Sequence, residues 1–335
     1  SSRTARRPSS TGSPGSGNLG ASTMVFSDGA GPGGTDLVAC GYHWPKGVQG
    51  MDRHTGKFLW GGLPSGGESI GEFSPAFSPG GATIYVVNDA TDGGAFPLGH
   101  PLMAFAASSG PSSYWHNGTN PNPGQLGGFS PTVAPDGRIF LHSWNDRPYA
   151  GIDTGAAINA AWAAASSNST CYNDPAIDAA RGRVITAGRS GTVRAYNLTG
   201  GGELWNIFAG AGSDATGTID PATGNFYAPA GFDDIYIIGL SGSGAQLWAS
   251  PIAPVFDYLA GVNNPQRAQS AGCLSHDGQT FYFQTVSQQG DGRLYAVNTA
   301  TGVLKWSLNT AGRGWEEHTS SPIVTPNGIV IVGNS

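Results

Sequence analysis

Polar and charged side chains stand just before a series of repeated segments that begin with Ser-Pro, Asp-Pro or a similar pair. The candidates are Glu72, Asp174, Asp214, Gln269, Glu317 and His318. Carboxylate and carbonyl oxygens suit Ca²⁺, and a ring of such groups can also bind a sugar. These positions form a site only if the fold brings them together. A wet, polar channel that binds nothing is the alternative interpretation.

No other pattern in the sequence is typical of a catalytic or metal centre. The histidines show no ligand spacing, and neither a Gly-x-Ser-x-Gly elbow nor a phosphate-binding loop occurs. The cysteines Cys40, Cys171 and Cys273 form no CxxC or CxxCH motif. Two arrangements of the cysteines remain open, which are one disulfide with one free thiol and three buried thiols. We therefore predict no catalytic residue and no metal ligand.

Charge and composition limit the classes of partner. The 335 residues carry a net charge of −6 and only 11% charged residues, and the basic residues form no stripe. Nucleic acid is therefore not expected as a partner. No apolar run is long enough to insert into a membrane. Three N-glycosylation sequons occur, at Asn117, Asn168 and Asn197, and with the low charge they favour an extracellular or secreted glycoprotein.

An internal repeat predicts the secondary-structure elements that must position these residues. One recurring unit contains a turn and ends in a tryptophan. Its six copies end at Trp60, Trp115, Trp162, Trp205, Trp248 and Trp306. A second unit, such as Ser74–Gly81 or Ser130–Gly137, precedes each of the last five copies, occurs in weaker form before the first, and recurs at Ser321–Gly328. Short β-rich runs such as Thr83–Val87 lie between the two units.

Four short antiparallel strands per repeat predict the blade of a β-propeller. Because a single blade is hydrophobic on both faces, the blades must stack, and the tryptophans are expected to pack between neighbours. The sequence predicts an all-β, seven-bladed propeller over residues 22–335, preceded by a Ser/Gly/Pro/Arg-rich arm over residues 1–21. The last blade is incomplete within this chain, and its completion by the arm, by further residues or by another molecule stays open.

The segment from Leu294 to Trp306 resembles the repeat of the PQQ-type β-propellers, and Val48–Trp60 and Val193–Trp205 resemble degenerate copies of it. The resemblance implies a propeller over roughly residues 22–335. The superfamily contains quinoprotein dehydrogenases that hold pyrroloquinoline quinone and Ca²⁺ on the ring axis, and non-enzymatic scaffolds similar to an outer-membrane assembly lipoprotein. This chain lacks the adjacent cysteine pair of many alcohol-oxidising members, and it matches no catalytic motif of the superfamily.

We therefore expect a non-enzymatic, extracellular or surface-exposed module that acts in structure or protein interaction. The edge of the last blade would be the point of assembly, because an unpaired strand is a template for strand addition. No cofactor is expected, although Ca²⁺ on the axis stays open. The alternatives are a PQQ- and Ca²⁺-dependent sugar or alcohol oxidoreductase and a carbohydrate-binding propeller.

Overall fold

The structure is a computed structural model, and its secondary structure is almost entirely β. It describes residues 25–42, 47–62, 74–87, 102–112, 114–116, 130–142, 148–164, 174–188, 191–208, 216–230, 236–251, 271–285, 292–312 and 321–333. Within these ranges the only helices are three 3₁₀ turns of three residues each, and there is no α-helix. In the same part of the chain, no helix has the length and apolar character to cross a membrane.

The strands form six four-stranded sheets and one two-stranded sheet, all described here in chain order. Sheet 1 contains β1 (Val25–Ser27), β2 (Leu37–Tyr42), β3 (Gly47–Asp52) and β4 (Phe58–Gly62). Sheet 2 contains β5 (Ala76–Phe77), β6 (Thr83–Val87), β7 (Leu102–Ala106) and β8 (Tyr114–His116). Sheet 3 contains β9 (Thr132–Val133), β10 (Arg138–His142), β11 (Pro148–Asp153) and β12 (Ile158–Ala163).

The second half of the chain repeats this arrangement. Sheet 4 contains β13 (Ala176–Asp178), β14 (Arg183–Ala187), β15 (Thr192–Asn197) and β16 (Glu203–Phe208). Sheet 5 contains β17 (Thr218–Ile219), β18 (Phe226–Ala230), β19 (Tyr236–Leu240) and β20 (Gln246–Pro251). Sheet 6 contains β21 (Cys273–Leu274), β22 (Thr280–Gln284), β23 (Gly292–Asn298) and β24 (Leu304–Gly312). Sheet 7 contains β25 (Ile323–Val324) and β26 (Val330–Ile331).

Within each sheet, consecutive strands are antiparallel neighbours, so every sheet is an up-and-down meander. Tight turns make this topology possible. In the turn between β23 and β24, Asn298 Oδ1 accepts the N–H groups of Ala300 and Thr301, at 2.9 and 3.1 Å. Gly302, with φ +72°, then reverses the chain at a backbone angle that a side chain disfavours. The recurring Asp/Asn and Thr-Gly residues of the sequence therefore build the outer hairpins.

The core lies between consecutive sheets. One cluster joins Ala39 and Trp60 of sheet 1 to Phe105 of sheet 2. Four further clusters join sheets 2 and 3, 3 and 4, 4 and 5, and 5 and 6 in the same manner. Because each sheet covers the apolar face of its neighbour, the sheets stack in chain order, as the blades of a propeller do. This arrangement confirms the predicted all-β propeller with four-stranded antiparallel sheets.

Sheet 7 differs from the other six because only β25 and β26 are present in the described residues. It packs on sheet 6 through the neighbouring innermost strands β21 and β25. The half-sheet agrees with the sequence reading of Ser321–Gly328 as a strand and turn. The count of seven blades stays a prediction, and so does the arm predicted over residues 1–21, which lies outside the described residues.

Candidate interaction surface

The starts of the innermost strands are linked by hydrogen bonds from one sheet to the next. The backbone N–H of Ser74 donates to Ser130 Oγ at 3.1 Å, and the N–H of Ser130 donates to Asp174 Oδ1 at 2.8 Å. The N–H of Asp174 then donates to Thr216 Oγ1 at 2.8 Å. Four successive sheets are joined in this way, which explains why the repeat opens with Ser, Asp or Thr. Asp174, predicted as an axial ligand, here accepts a backbone hydrogen bond.

The remaining axial candidates, Glu72, Asp214, Gln269, Glu317 and His318, lie outside the described residues, so their convergence stays a prediction. Among the residues that the structure describes, no group of three or more His, Cys, Asp or Glu side chains could hold a metal ion.

Cys40 and Cys273 are free thiols, while Cys171 lies outside the described part.

Of the three predicted glycosylation positions, only Asn197 belongs to the described part of the chain, while Asn117 and Asn168 fall outside it. Asn197 is exposed and is the last residue of β15, where the turn begins. Its Oδ1 accepts the N–H groups of Thr199 and Gly200, both at 2.9 Å. Asn197 therefore occupies the same place in the repeat as Asn298, and the turn alone accounts for its residue type. Glycosylation there stays a prediction.

The outer-strand tryptophans dock onto the outer hairpin of the next sheet. Trp60 in sheet 1 donates its indole N–H to Ala107 O at 2.9 Å, beyond β7 in sheet 2. Trp162 donates to Leu198 O in sheet 4 at 3.2 Å, and Trp248 donates to Thr299 O in sheet 6 at 2.8 Å. Each indole thus contributes apolar area and one directional hydrogen bond between sheets.

A glycine in each receiving turn makes this docking possible. A Cβ placed on Gly302 would lie 2.6 Å from Cε3 of Trp248, and one on Gly110 would lie 2.7 Å from Cδ2 of Trp60. Gly201 approaches Trp162 in the same manner, and a Cβ on Gly244 would lie 2.6 Å from Cδ2 of Trp205. The turn glycine therefore has two tasks, which are to adopt a positive φ and to leave room for the neighbouring indole.

The indole also needs a small residue beside it on the third strand of its own sheet. Trp60 pairs with Gly50, and Trp248 pairs with Gly239. Trp306 pairs with Ala296, which in turn pairs with Tyr282 on the second strand. A Cβ on Gly50 or Gly239 would lie 2.5 or 2.6 Å from the indole. The ring therefore lies flat across its own sheet and faces the next one.

Trp306 differs from the other described tryptophans. Its side chain is 42% exposed, whereas that of Trp60 is 8% exposed. The ring contacts Tyr282 at a centroid distance of 5.9 Å. No described residue accepts a hydrogen bond from its indole N–H. The described part of sheet 7 contains no outer hairpin next to Trp306, and its packing between blades stays a prediction. The side chain of Trp115 lies outside the described residues.

Further exposed apolar side chains lie on the last strand of sheet 6 and on sheet 7. We call them the sheet-7 surface. It comprises Trp306, Leu308, Ile323, Ile329 and Ile331, all between 42% and 58% exposed. In sheet 4 the residue equivalent to Leu308 is Ile207, which packs on the apolar cluster between sheets 4 and 5. The position of Leu308 is therefore one that the next sheet covers elsewhere in the chain.

The half-sheet is held in place by side-chain contacts from sheet 6. His276 Nε2 lies 2.7 Å from Thr325 O, and Gln284 Nε2 donates to Gly333 O at 3.3 Å. Cys273 on the adjacent inner strand is half-buried, and burial raises the pKa of its thiol to about 12. The two hydrogen bonds tie the turn after β25 and the residue that follows β26 to sheet 6.

Sequence analysis missed the role of the turn glycines and a buried ion pair. The sequence did contain a signal for the glycines. In four copies of the repeat a glycine stands four residues before the tryptophan, at Gly56, Gly201, Gly244 and Gly302. The ion pair joins Arg183 and Asp178 at 2.8 Å, and Arg183 also donates to Gly224 O of the next sheet at 2.7 Å. No spacing in the sequence pointed to that contact.

Comparisons with known proteins support the fold alone. No protein-family model matches the sequence, and no curated protein matches it. The crystal structure of BamB from Moraxella catarrhalis has a TM-score of 0.56 and 14% identity, covering 91% of this chain and 81% of that one. A chain in the crystal structure of the mitotic checkpoint complex has a TM-score of 0.64 and 10% identity, covering 100% and 93%. Both neighbours are β-propellers, so the chain is a β-propeller.

Proposed function

We propose that this chain is a non-enzymatic, extracellular structural and protein-interaction propeller that assembles with other polypeptide chains through the free edge of β26. The observation that carries the proposal is the half-sheet, in which β26 pairs only with β25 in the described residues, beside exposed apolar side chains. An unpaired edge next to apolar surface is a template for strand addition. The similarity to BamB and to a chain of the checkpoint complex is compatible with this role.

The outward-facing backbone groups of β26 follow from its pairing. Thr325 N–H donates to Ile329 O at 2.8 Å, so Ile329 points its backbone groups toward β25. Because successive residues of a strand alternate in this respect, Val330 points its N–H and C=O groups away from β25. Val330 therefore offers the hydrogen-bonding groups that an added strand would use.

The test is a substitution that removes the outward backbone N–H of Val330 and leaves the hydrogen bonds between β25 and β26 unchanged. We expect Val330→Pro to abolish concentration-dependent association in size-exclusion chromatography with light scattering, while Val330→Ala, which keeps the N–H, retains it. A wild-type chain that stays monomeric over the accessible concentration range, and that captures no protein from its natural extracellular material, would refute the proposal.

The alternative activities have separate assays. Reconstitution with pyrroloquinoline quinone and Ca²⁺, followed by dye reduction with sugars and alcohols, tests the oxidoreductase, and turnover would displace the present proposal. A glycan array tests the carbohydrate-binding propeller. Intact mass spectrometry of the natural protein tests the extracellular glycoprotein, because N-glycans at the sequons would add a characteristic mass.

A further inference from the structure

One pair of side chains in sheet 4 departs from a rule that four other sheets follow. The pair joins the second and third strands, one step along from the residues that pair with the tryptophan, and it faces the preceding sheet. In sheets 2, 3, 5 and 6 both residues are buried and aliphatic or aromatic, and the pairs are Val86 with Met103, Leu141 with Tyr149, Ala228 with Ile238, and Phe283 with Tyr295. Sheet 1 has Cys40 with Gln49, which contact each other at 3.4 Å. In sheet 4 the pair is Thr186 with Arg194.

The polar pair of sheet 4 is turned toward sheet 3. Val184 and Tyr196, two residues away on the same strands, belong to the apolar cluster between sheets 3 and 4, and alternate residues of a strand share a face. Thr186 is 1% exposed. No described group forms a hydrogen bond with its hydroxyl or with Arg194 Nε, although both atoms are buried. Because unpaired buried polar atoms cost stability, packing alone does not account for these two residue types.

The same face continues onto the outer strand β16 with polar groups that reach solvent. Asn206 pairs with Arg194 in register and is exposed. Glu203 Oε2 accepts a hydrogen bond from Arg194 Nη1 at 2.7 Å, and Glu203 Oε1 accepts one from the Asn206 amide. The side chains of Arg194 and Glu203 are partly exposed, and their charges balance each other. This surface therefore offers hydrogen-bond donors and acceptors without a net charge.

An open aromatic ring lies beside these polar groups. Phe208 stands two residues after Asn206 on β16, so their side chains share a face and start about 7 Å apart. Phe208 is 68% exposed, which makes it the most exposed large hydrophobic residue in the described part of the chain. Sheet 3 contributes only the small side chain of Ala164 from the end of its outer strand to this interface. The outer end of the interface therefore combines an accessible ring with an uncharged set of hydrogen-bonding groups.

We propose that Arg194, Glu203, Asn206 and Phe208 form a binding site for a neutral pyranose sugar. One face of a pyranose ring carries C–H groups that suit an aromatic ring, and its edge carries hydroxyl groups that both donate and accept hydrogen bonds. The sugar lies on Phe208, and its hydroxyl groups bind the side chains of Arg194 and Asn206. The balanced charges of Arg194 and Glu203 favour an uncharged ligand over an ion. This site is separate from the edge of β26, so it goes beyond the proposed function.

The probe is a panel of the methyl pyranosides of glucose, galactose, mannose and N-acetylglucosamine. Binding of each to the full chain is followed by saturation-transfer difference NMR. We expect saturable binding of at least one of them. Phe208→Ala should raise the dissociation constant at least tenfold, because it removes the ring on which the sugar lies. The matched control is Phe26→Ala, which removes another exposed ring, on β1, and should bind as the wild type does.

A paired variant separates a binding role of the polar residues from a structural one. Thr186→Val combined with Arg194→Met copies Val86 and Met103, the pair at the equivalent place in sheet 2. A pair that is retained for a ligand costs stability and gives binding. We therefore expect the paired variant to bind the sugar at least tenfold more weakly, while its midpoint of urea unfolding stays at or above that of the wild type.

Absence of binding by every sugar of the panel overturns the inference, and so does binding that Phe208→Ala or the paired variant leaves unchanged. If the paired variant does not fold, the comparison of Phe208→Ala with Phe26→Ala decides alone, because both rings are exposed. The outcome is also distinct from that of the proposed function. Loss of association in Val330→Pro does not bear on sugar binding, and a chain that binds no sugar can still associate through β26.

Discussion

The glycine in each receiving turn permits a matched measurement of how much an indole stabilises the contact between sheets. The perturbation is Gly302→Ala, and the control is Gly56→Ala. Both glycines follow a Thr in an Asx-type turn with nearly equal φ values of +72° and +67°. They differ in that Trp248 lies against Gly302, whereas no described atom lies within 4 Å of a Cβ on Gly56.

The expected magnitudes follow from this difference. A left-handed backbone angle disfavours alanine by roughly 1–2 kcal/mol at either position. At Gly302 the new Cβ would lie 2.6 Å from Trp248 Cε3, so the indole must move. Overpacking of this kind costs about 1–3 kcal/mol, and loss of the hydrogen bond to Thr299 O adds about 1 kcal/mol. Gly302→Ala should therefore lower the free energy of unfolding by about 2–4 kcal/mol more than Gly56→Ala does.

The assay is urea unfolding followed by circular dichroism, with the free energy taken from midpoint and slope. Tryptophan fluorescence should also shift to longer wavelength in Gly302→Ala as Trp248 becomes more solvated. Equal destabilisation of the two variants would refute the reasoning, because it would mean that the indole adds nothing beyond the backbone angle.

Substitutions at three further positions have defined outcomes. Arg183→Ala should lower the free energy of unfolding in urea by about 1–3 kcal/mol, because Asp178 loses one of its two arginine partners and keeps the ion pair with Arg181; an unchanged free energy of unfolding would contradict this. Asp174→Ala should cost about 1–3 kcal/mol by removing an acceptor from a backbone N–H, whereas Asp174→Asn, which keeps an acceptor oxygen, should unfold at nearly the wild-type urea concentration. His54→Ala should raise the pKa of Asp36 toward its ordinary value of 3.8, as measured by NMR, because the hydrogen bond from His54 is the main cause of its lowering.

The last substitution also has a pH dependence of known sign. The pKa of Asp36 is lowered in the folded chain, by the His54 hydrogen bond first and by the Gly29 N–H next. Its contribution to stability is therefore present above pH 3.8 and is lost as the pH falls through the lowered pKa. In His54→Ala the stability should depend less steeply on pH in this range. An unchanged acid dependence would show that the imidazole does not act on this carboxyl.

Sequence alone determined the repeat and therefore the fold. Apolar strands of three to five residues separated by Asp-Gly and Thr-Gly turns can form only short antiparallel hairpins. A tryptophan at the end of each unit requires a neighbour to bury it, and stacking of repeats meets that need. For this reason the strand at Thr83–Val87, which is β6, was predicted correctly.

Only the tertiary structure decided what each repeated residue contacts. Local periodicity cannot show that Gly302 receives Trp248 from the preceding sheet, since the two residues are far apart in sequence and meet only when sheets 5 and 6 stack. The role of Asp174 could not be read either, because its partner Ser130 belongs to another sheet. Turns and strands are set by neighbours along the chain, whereas contacts between sheets depend on their relative placement. That placement also leaves Trp306 half exposed on sheet 6.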